Sequence, residues 1–69
     1  MHTKIVIFEK SASGELLPID EREWNANMVQ LLDHANYLLV NDIEYEMLEG
    51  RLNVNTGEFE LLVVAAQKP

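Results

Sequence analysis

The sequence predicts an α+β domain, β-α-β-β-β in order, with a curled, mainly antiparallel sheet of about four strands packed on one amphipathic helix. Three observations lead there. The N-terminal run "KIVIF" is β-branched and aromatic. The middle segment "DEREWNANMVQLLDHAN" carries helix punctuation and an apolar stripe. From Tyr37 onward, apolar and polar residues alternate around two turn signals. A small SH3-like or partly open β-barrel with a helix is the alternative built from the same elements.

In "TKIVIFEK", Ile5 and Ile7 alternate against Val6 and Phe8, so both faces are apolar and the strand is expected to be buried on both. "SASG" breaks it. "ELLPI" either runs back beside the first strand, with Lys10 facing Glu15 across the turn, or leads irregularly into the helix. Pro18, lacking an N–H, restricts that segment to an edge or a loop. Asp20 then reads as a helix N-cap, with Glu23 completing a capping-box-like pair and Ile19 and Trp24 at the spacing of a hydrophobic staple. Trp24, Met28, Leu31, Leu32 and Ala35 fall on one stripe, while Asn25, Asn27, Gln30, Asp33 and His34 lie elsewhere on the cylinder. Asn36, which tolerates the left-handed conformation, is expected to end a helix over about residues 21–35.

The remainder reads as a three-strand meander. Asn41 and Asp42 both tolerate positive φ and form a two-residue hairpin turn, placing Val40 beside Ile43 and Leu38 beside Tyr45. For the second turn, an "NTGE" loop pairs Val54 with Phe59 and Leu52 with Leu61; an "NTG" loop would set Leu52 against Glu60 and is not preferred. Between the turns the apolar phase slips from Ile43, Tyr45 and Met47 to Leu48, Leu52 and Val54. A period of two changes phase only with an extra residue, so a β-bulge or sharp bend is expected near Leu48 to Gly50. The last strand loses alternation from Leu61 to Ala66, which places it centrally in the sheet; "QKP" reads as a frayed end.

With 69 residues the chain holds one domain, 1–69. It has no cysteine, hence no disulfide, thiol nucleophile or Cys-rich zinc site. The apolar run from Ile5 to Phe8 is far too short for a signal peptide and nothing approaches a membrane span, so the expectation is a cytoplasmic chain, mature from Met1. A net charge of −7 with 48% hydrophobic residues describes an acidic folded surface rather than a disordered tail. The five Lys and Arg, at positions 4, 10, 22, 51 and 68, are scattered, which disfavours direct binding to nucleic acid or anionic lipid and permits a basic protein partner.

The densest chemistry lies in "NDIEYEMLEG". On a strand, Asp42, Glu44 and Glu46 project to one face about 7 Å apart, opposite Ile43, Tyr45 and Met47, as a half-solvated strand requires. The stretch fails as a calcium loop: Met47 stands where the glycine turn belongs and Asn53 where the bidentate glutamate belongs. No phosphate-cradling loop is present, and a wet strand face gives both members of a carboxylate pair the same environment. Ser11 and Ser13 read as turn formers, and Trp24, Tyr37 and Tyr45 as packing or interface residues. His2 and His34 are the only imidazoles, and His34 beside Asp33 makes a poor metal site because adjacent helix residues diverge. No catalytic residue, metal ligand or cofactor is therefore expected; Glu44 or Glu46 with His34 is the one enzymatic combination and matches no recognised constellation.

The expected function is a non-enzymatic protein-interaction or regulatory module, with Asp42, Glu44, Glu46, Glu49 and Glu60 as the candidate surface for a basic partner. An alternative, which adds Glu58, is an acidic mimic of a nucleic-acid backbone that inhibits a DNA- or RNA-handling protein. Self-association as a homodimer is a further possibility, through Leu39, Leu62 and Val64, whose strand neighbours point to the helix side.

Overall fold

A computed structural model describes residues 2–66, with side chains from Thr3 onward. The elements are β1 (His2–Lys10), β2 (Leu16–Asn25), α1 (Ala26–Leu31), a 3-10 turn (Leu32–His34), β3 (Tyr37–Val40), β4 (Ile43–Asn53) and β5 (Glu58–Ala65). They form a small α+β fold with one five-stranded sheet in the order β2-β1-β5-β4-β3. The β1–β5 pair is parallel and the other three pairs are antiparallel. A single cleft is lined by Asp20, Arg22 and Trp24 of β2 and by Leu38, Leu39 and Val40 of β3, so the sheet curls until its two outer strands flank one space.

Five strands stand where about four were expected, because the segment after "SASG" runs back along the whole of β1. Lys10 pairs with Leu16 rather than Glu15. Pro18 sits on an edge strand, where its missing N–H costs no ladder bond, and Ile19 is an extra residue between the Ile7–Asp20 and Phe8–Pro18 pairs.

The expected helix over residues 21–35 is the largest correction. Its first third is strand: Asp20 is not a cap, and Asn25 takes that role, its Oδ1 accepting from Met28 N–H at 2.9 Å. The reason is visible in the charges. On a strand, residues two apart share a face, and Arg22 makes paired 2.9 Å hydrogen bonds to both oxygens of Asp20, a contact helical spacing would preclude. On the other face Glu21 meets Lys4 of β1, and the whole segment satisfies the backbone of β1. What remains helical turns Val29 and Leu32 inward and leaves Met28 and Leu31 exposed. Asn36 does not adopt a left-handed conformation; the chain leaves the 3-10 turn through an extended Ala35.

Ile5, Ile7, Trp24, Tyr45, Leu61 and Val63 form the core, on the sheet face that α1 covers, with Ile19, Leu38, Val40, Met47 and Phe59 packed against them. β5 is central, as its unbroken apolar run implies. The first hairpin has the expected register, Val40 with Ile43 and Leu38 with Tyr45, and Asn41 and Asp42 carry φ of 52° and 65°. The bulge is also present: the β4–β5 register shifts between Met47 and Glu49, leaving Leu48 as the extra residue.

The second turn differs from expectation. Leu52 pairs with Phe59 and Asn53 with Glu58, so the loop is "VNTG" and begins one residue earlier than expected. Gly57 closes it at φ 77°, and Asn53 Oδ1 accepts from Asn55 and Thr56 N–H. This register also sets Arg51 directly opposite Glu60, its ion-pair partner. The expected frayed end, residues 67–69, lies outside the described residues.

Candidate functional site

The β3–β4 hairpin carries the acidic stretch. Asp42 occupies its turn, and Glu44 and Glu46 project from β4 to the face away from α1, since Tyr45 between them is buried in the core. Their cross-strand neighbours on that face are Leu39 and Tyr37, both exposed. Glu49 joins the same face because of the bulge. It pairs with Leu62, whereas Met47 pairs with Val63 of the core, so the extra Leu48 turns Glu49 away from the helix side. Asp42, Glu44, Glu46 and Glu49 are all exposed. Among the described residues, no ion pair or side-chain hydrogen bond reaches any of them.

Glu60 is different and does not belong to this free surface. It is only 5% exposed, and its carboxylate accepts from Arg51 Nε at 2.7 Å and from Asn53 Nδ2 at 3.0 Å. The hydrogen bonds from Asn53 and Arg51 hold its carboxyl below the ordinary value of 4.5, against the opposing effect of burial. It is a structural carboxylate. Glu58 is likewise engaged, 3.2 Å from Lys4 Nζ.

The residues considered for self-association are not brought together as one exposed patch. Leu39 is 72% exposed on the outermost strand, Val64 is half-buried on β5, and Leu62 is 6% exposed. β4 lies between Leu39 and the other two.

One feature escaped sequence reasoning: the edge of β4 is open over much of its length. β3 pairs with residues 43–46, and one further bond, Met47 N–H to the Asn36 carbonyl at 3.0 Å, closes the ladder. The backbone directions beyond it follow from both ends. Met47 faces β3, the bulge advances the phase by one, and Gly57 N–H donates to the Asn53 carbonyl, so Asn53 faces the β5 side. Alternation between these points turns the N–H and C=O of Gly50 and Leu52 outward, where the described residues supply no strand to meet them. Beside this edge, on the helix face, lies an apolar groove of about 360 Å³ lined by Val29, Leu32, Met47, Leu52 and Phe59. The length mismatch of β3 and β4, four residues against eleven, creates it.

Glu44 and Glu46 lie on the opposite sheet face from α1 and the 3-10 turn that bears His34, so the enzymatic combination is not assembled. His2's side chain lies outside the described residues. Ser11 and Ser13 hydrogen-bond to each other at 3.0 Å, and Ser11 Oγ accepts from Glu15 N–H, which makes them the turn they were expected to form. Among the described residues no group of three or more His, Asp or Glu is placed to hold a metal ion, and no helix is long and apolar enough to cross a membrane. Comparison with protein-family models, with curated proteins and with solved structures returned no match.

Proposed function

We propose that this chain is a non-enzymatic protein-interaction module whose acidic hairpin receives a basic segment of a partner protein. The observation that supports it is the clustering of unpaired carboxylates on and beside the β3–β4 hairpin. Asp20, Glu21, Glu58 and Glu60 are matched by Arg22, Lys4 and Arg51. Asp42 in the turn and Glu44, Glu46 and Glu49 on one face are left without an internal cation, alongside exposed Tyr37 and Leu39. Unpaired charge steers an oppositely charged partner and fixes its register, and the adjoining apolar side chains supply area that loses water on contact.

Affinity capture from the native host tests the reading, with the wild-type chain and a Glu44→Gln/Glu46→Gln variant compared at low and high salt. A protein retained by the wild type, released by salt and bound about tenfold more weakly by the variant is the expected result. Equal capture by both chains would count against the hairpin. Displacement of that partner by DNA or RNA would identify it as a nucleic-acid-binding protein.

A further inference from the structure

We infer that the partner enters this site as an added β-strand, an extended segment with apolar residues on one face and a basic residue opposite Glu49 on the other, laid antiparallel along residues 48–53 of β4. The inference rests on the reading of the hairpin as a basic-partner site and specifies how the partner is held. The outward N–H and C=O groups of Gly50 and Leu52 are two donors and two acceptors on a rigid edge, which is what main-chain recognition by strand addition uses. An antiparallel segment there runs in the direction of β3 and ends where β3 begins.

Pairing dictates the side chains. Residues opposite Gly50 and Leu52 share their face and lean into the groove of Val29, Leu32, Leu52 and Phe59, so they are apolar. Gly50 has no side chain and Phe59 covers it, so a large side chain opposite Gly50 lies beside that ring. The residue opposite Glu49 lies on the acidic face and is basic. The residue opposite Arg51 is uncharged, since Arg51 is already a cation serving Glu60.

A second copy of the chain fits this edge less well. The register that pairs all four outward groups matches Gly50 with Leu52 of the other copy, and it sets Arg51 against Arg51 at the two-fold axis. Two chains of net charge −7 also repel.

The test uses a synthetic peptide, Thr-Val-Thr-Phe-Lys with blocked ends, matched to residues 53–49, its counterpart N-methylated at Phe and Val, and an oligolysine, each titrated into the wild-type protein. Amide exchange and chemical shifts are followed by NMR. The alternating peptide is expected to protect the Gly50 and Leu52 amides, and N-methylation is expected to weaken it about tenfold. Leu52→Pro, which removes an outward N–H and is tolerated on an open edge, is expected to do the same while the β1 and β5 amides keep their protection. Equal binding by the N-methylated peptide overturns strand addition, as does concentration-dependent protection of Gly50 and Leu52 without peptide, which would place a second copy on the edge. If oligolysine still shifts Glu44 and Glu46 in a salt-sensitive way, the hairpin reading survives that failure; if no basic peptide shifts them, the hairpin reading fails too.

Discussion

Glu60 shows how a single buried carboxylate is held in a small sheet. Its partners come from the neighbouring strand, Arg51 directly opposite and Asn53 beside it, and together they favour the ionised form. A folded-state pKa below the ordinary 4.5 means that the group's contribution to stability is complete above about pH 4.5 and is lost as the pH falls through the depressed value. Arg51→Ala removes one of the two favourable partners. It is expected to raise the acid-unfolding midpoint and to narrow the pH range over which the fold is stable, as followed by circular dichroism from pH 7 downward. Lys4 works in the opposite sense: Glu21 and Glu58, on the strands to either side of it, raise its pKa above 10.5, so its contribution is present below that value and lost in strong alkali.

Two apolar positions carry residue-scale consequences as well. A Cβ at Gly50 would stand 2.5 Å from Phe59 Cζ, so Gly50→Ala must displace the ring from the groove. The expected loss is about 1–2 kcal/mol by denaturant titration, because the crowding outweighs the gain from removing a strand glycine. Trp24 packs in the core, yet its Nε1 finds no acceptor among the described residues. Trp24→Phe removes that unsatisfied donor along with some area and should cost under about 1.5 kcal/mol, against about 3–5 kcal/mol for Trp24→Ala.

At the scale of elements, the β3–β4 hairpin is held by its turn. Asn41 and Asp42 both sit in the left-handed region, which Asn and Asp tolerate and Gly prefers. Asp42→Gly is therefore expected to stabilise the fold by a few tenths to about 1 kcal/mol, read as a rise in melting temperature. Helix α1 is short and depends on Asn25; Asn25→Ala should cost about 1 kcal/mol. The hairpin and the bulge were legible because each has a local cause, a turn dipeptide in one case and a phase slip in the other. The helix was misread because residues 19–25 satisfy helical spacing and strand alternation at once. Asp20 and Arg22 on one face, with Glu21 turned to the other, were the strand signal, and they became decisive only with Lys4 of β1 beside them.

At the scale of the molecule, the mismatch between short β3 and long β4 puts an open edge, an apolar groove and a row of free carboxylates next to one another. The same unneutralised charge works against compactness. Stability is expected to rise as sodium chloride is added from about 20 to 200 mM, since screening acts within a Debye length of about 10 Å at 0.1 M. A fall in melting temperature over that range would show that the ion pairs of Lys4, Arg22 and Arg51 outweigh the repulsion.

The sequence by itself determined the α+β class, the position and register of the first hairpin, the bulge before Gly50 and the central place of the last strand. Each of these is encoded within a few consecutive residues by periodicity or turn chemistry. Tertiary structure decided the rest. The second strand runs along β1, the second loop takes the register that sets Arg51 directly opposite Glu60, and Glu60 is thereby withdrawn from the acidic surface. These outcomes depend on residues far apart in the chain meeting across strands, and no local pattern carries that information.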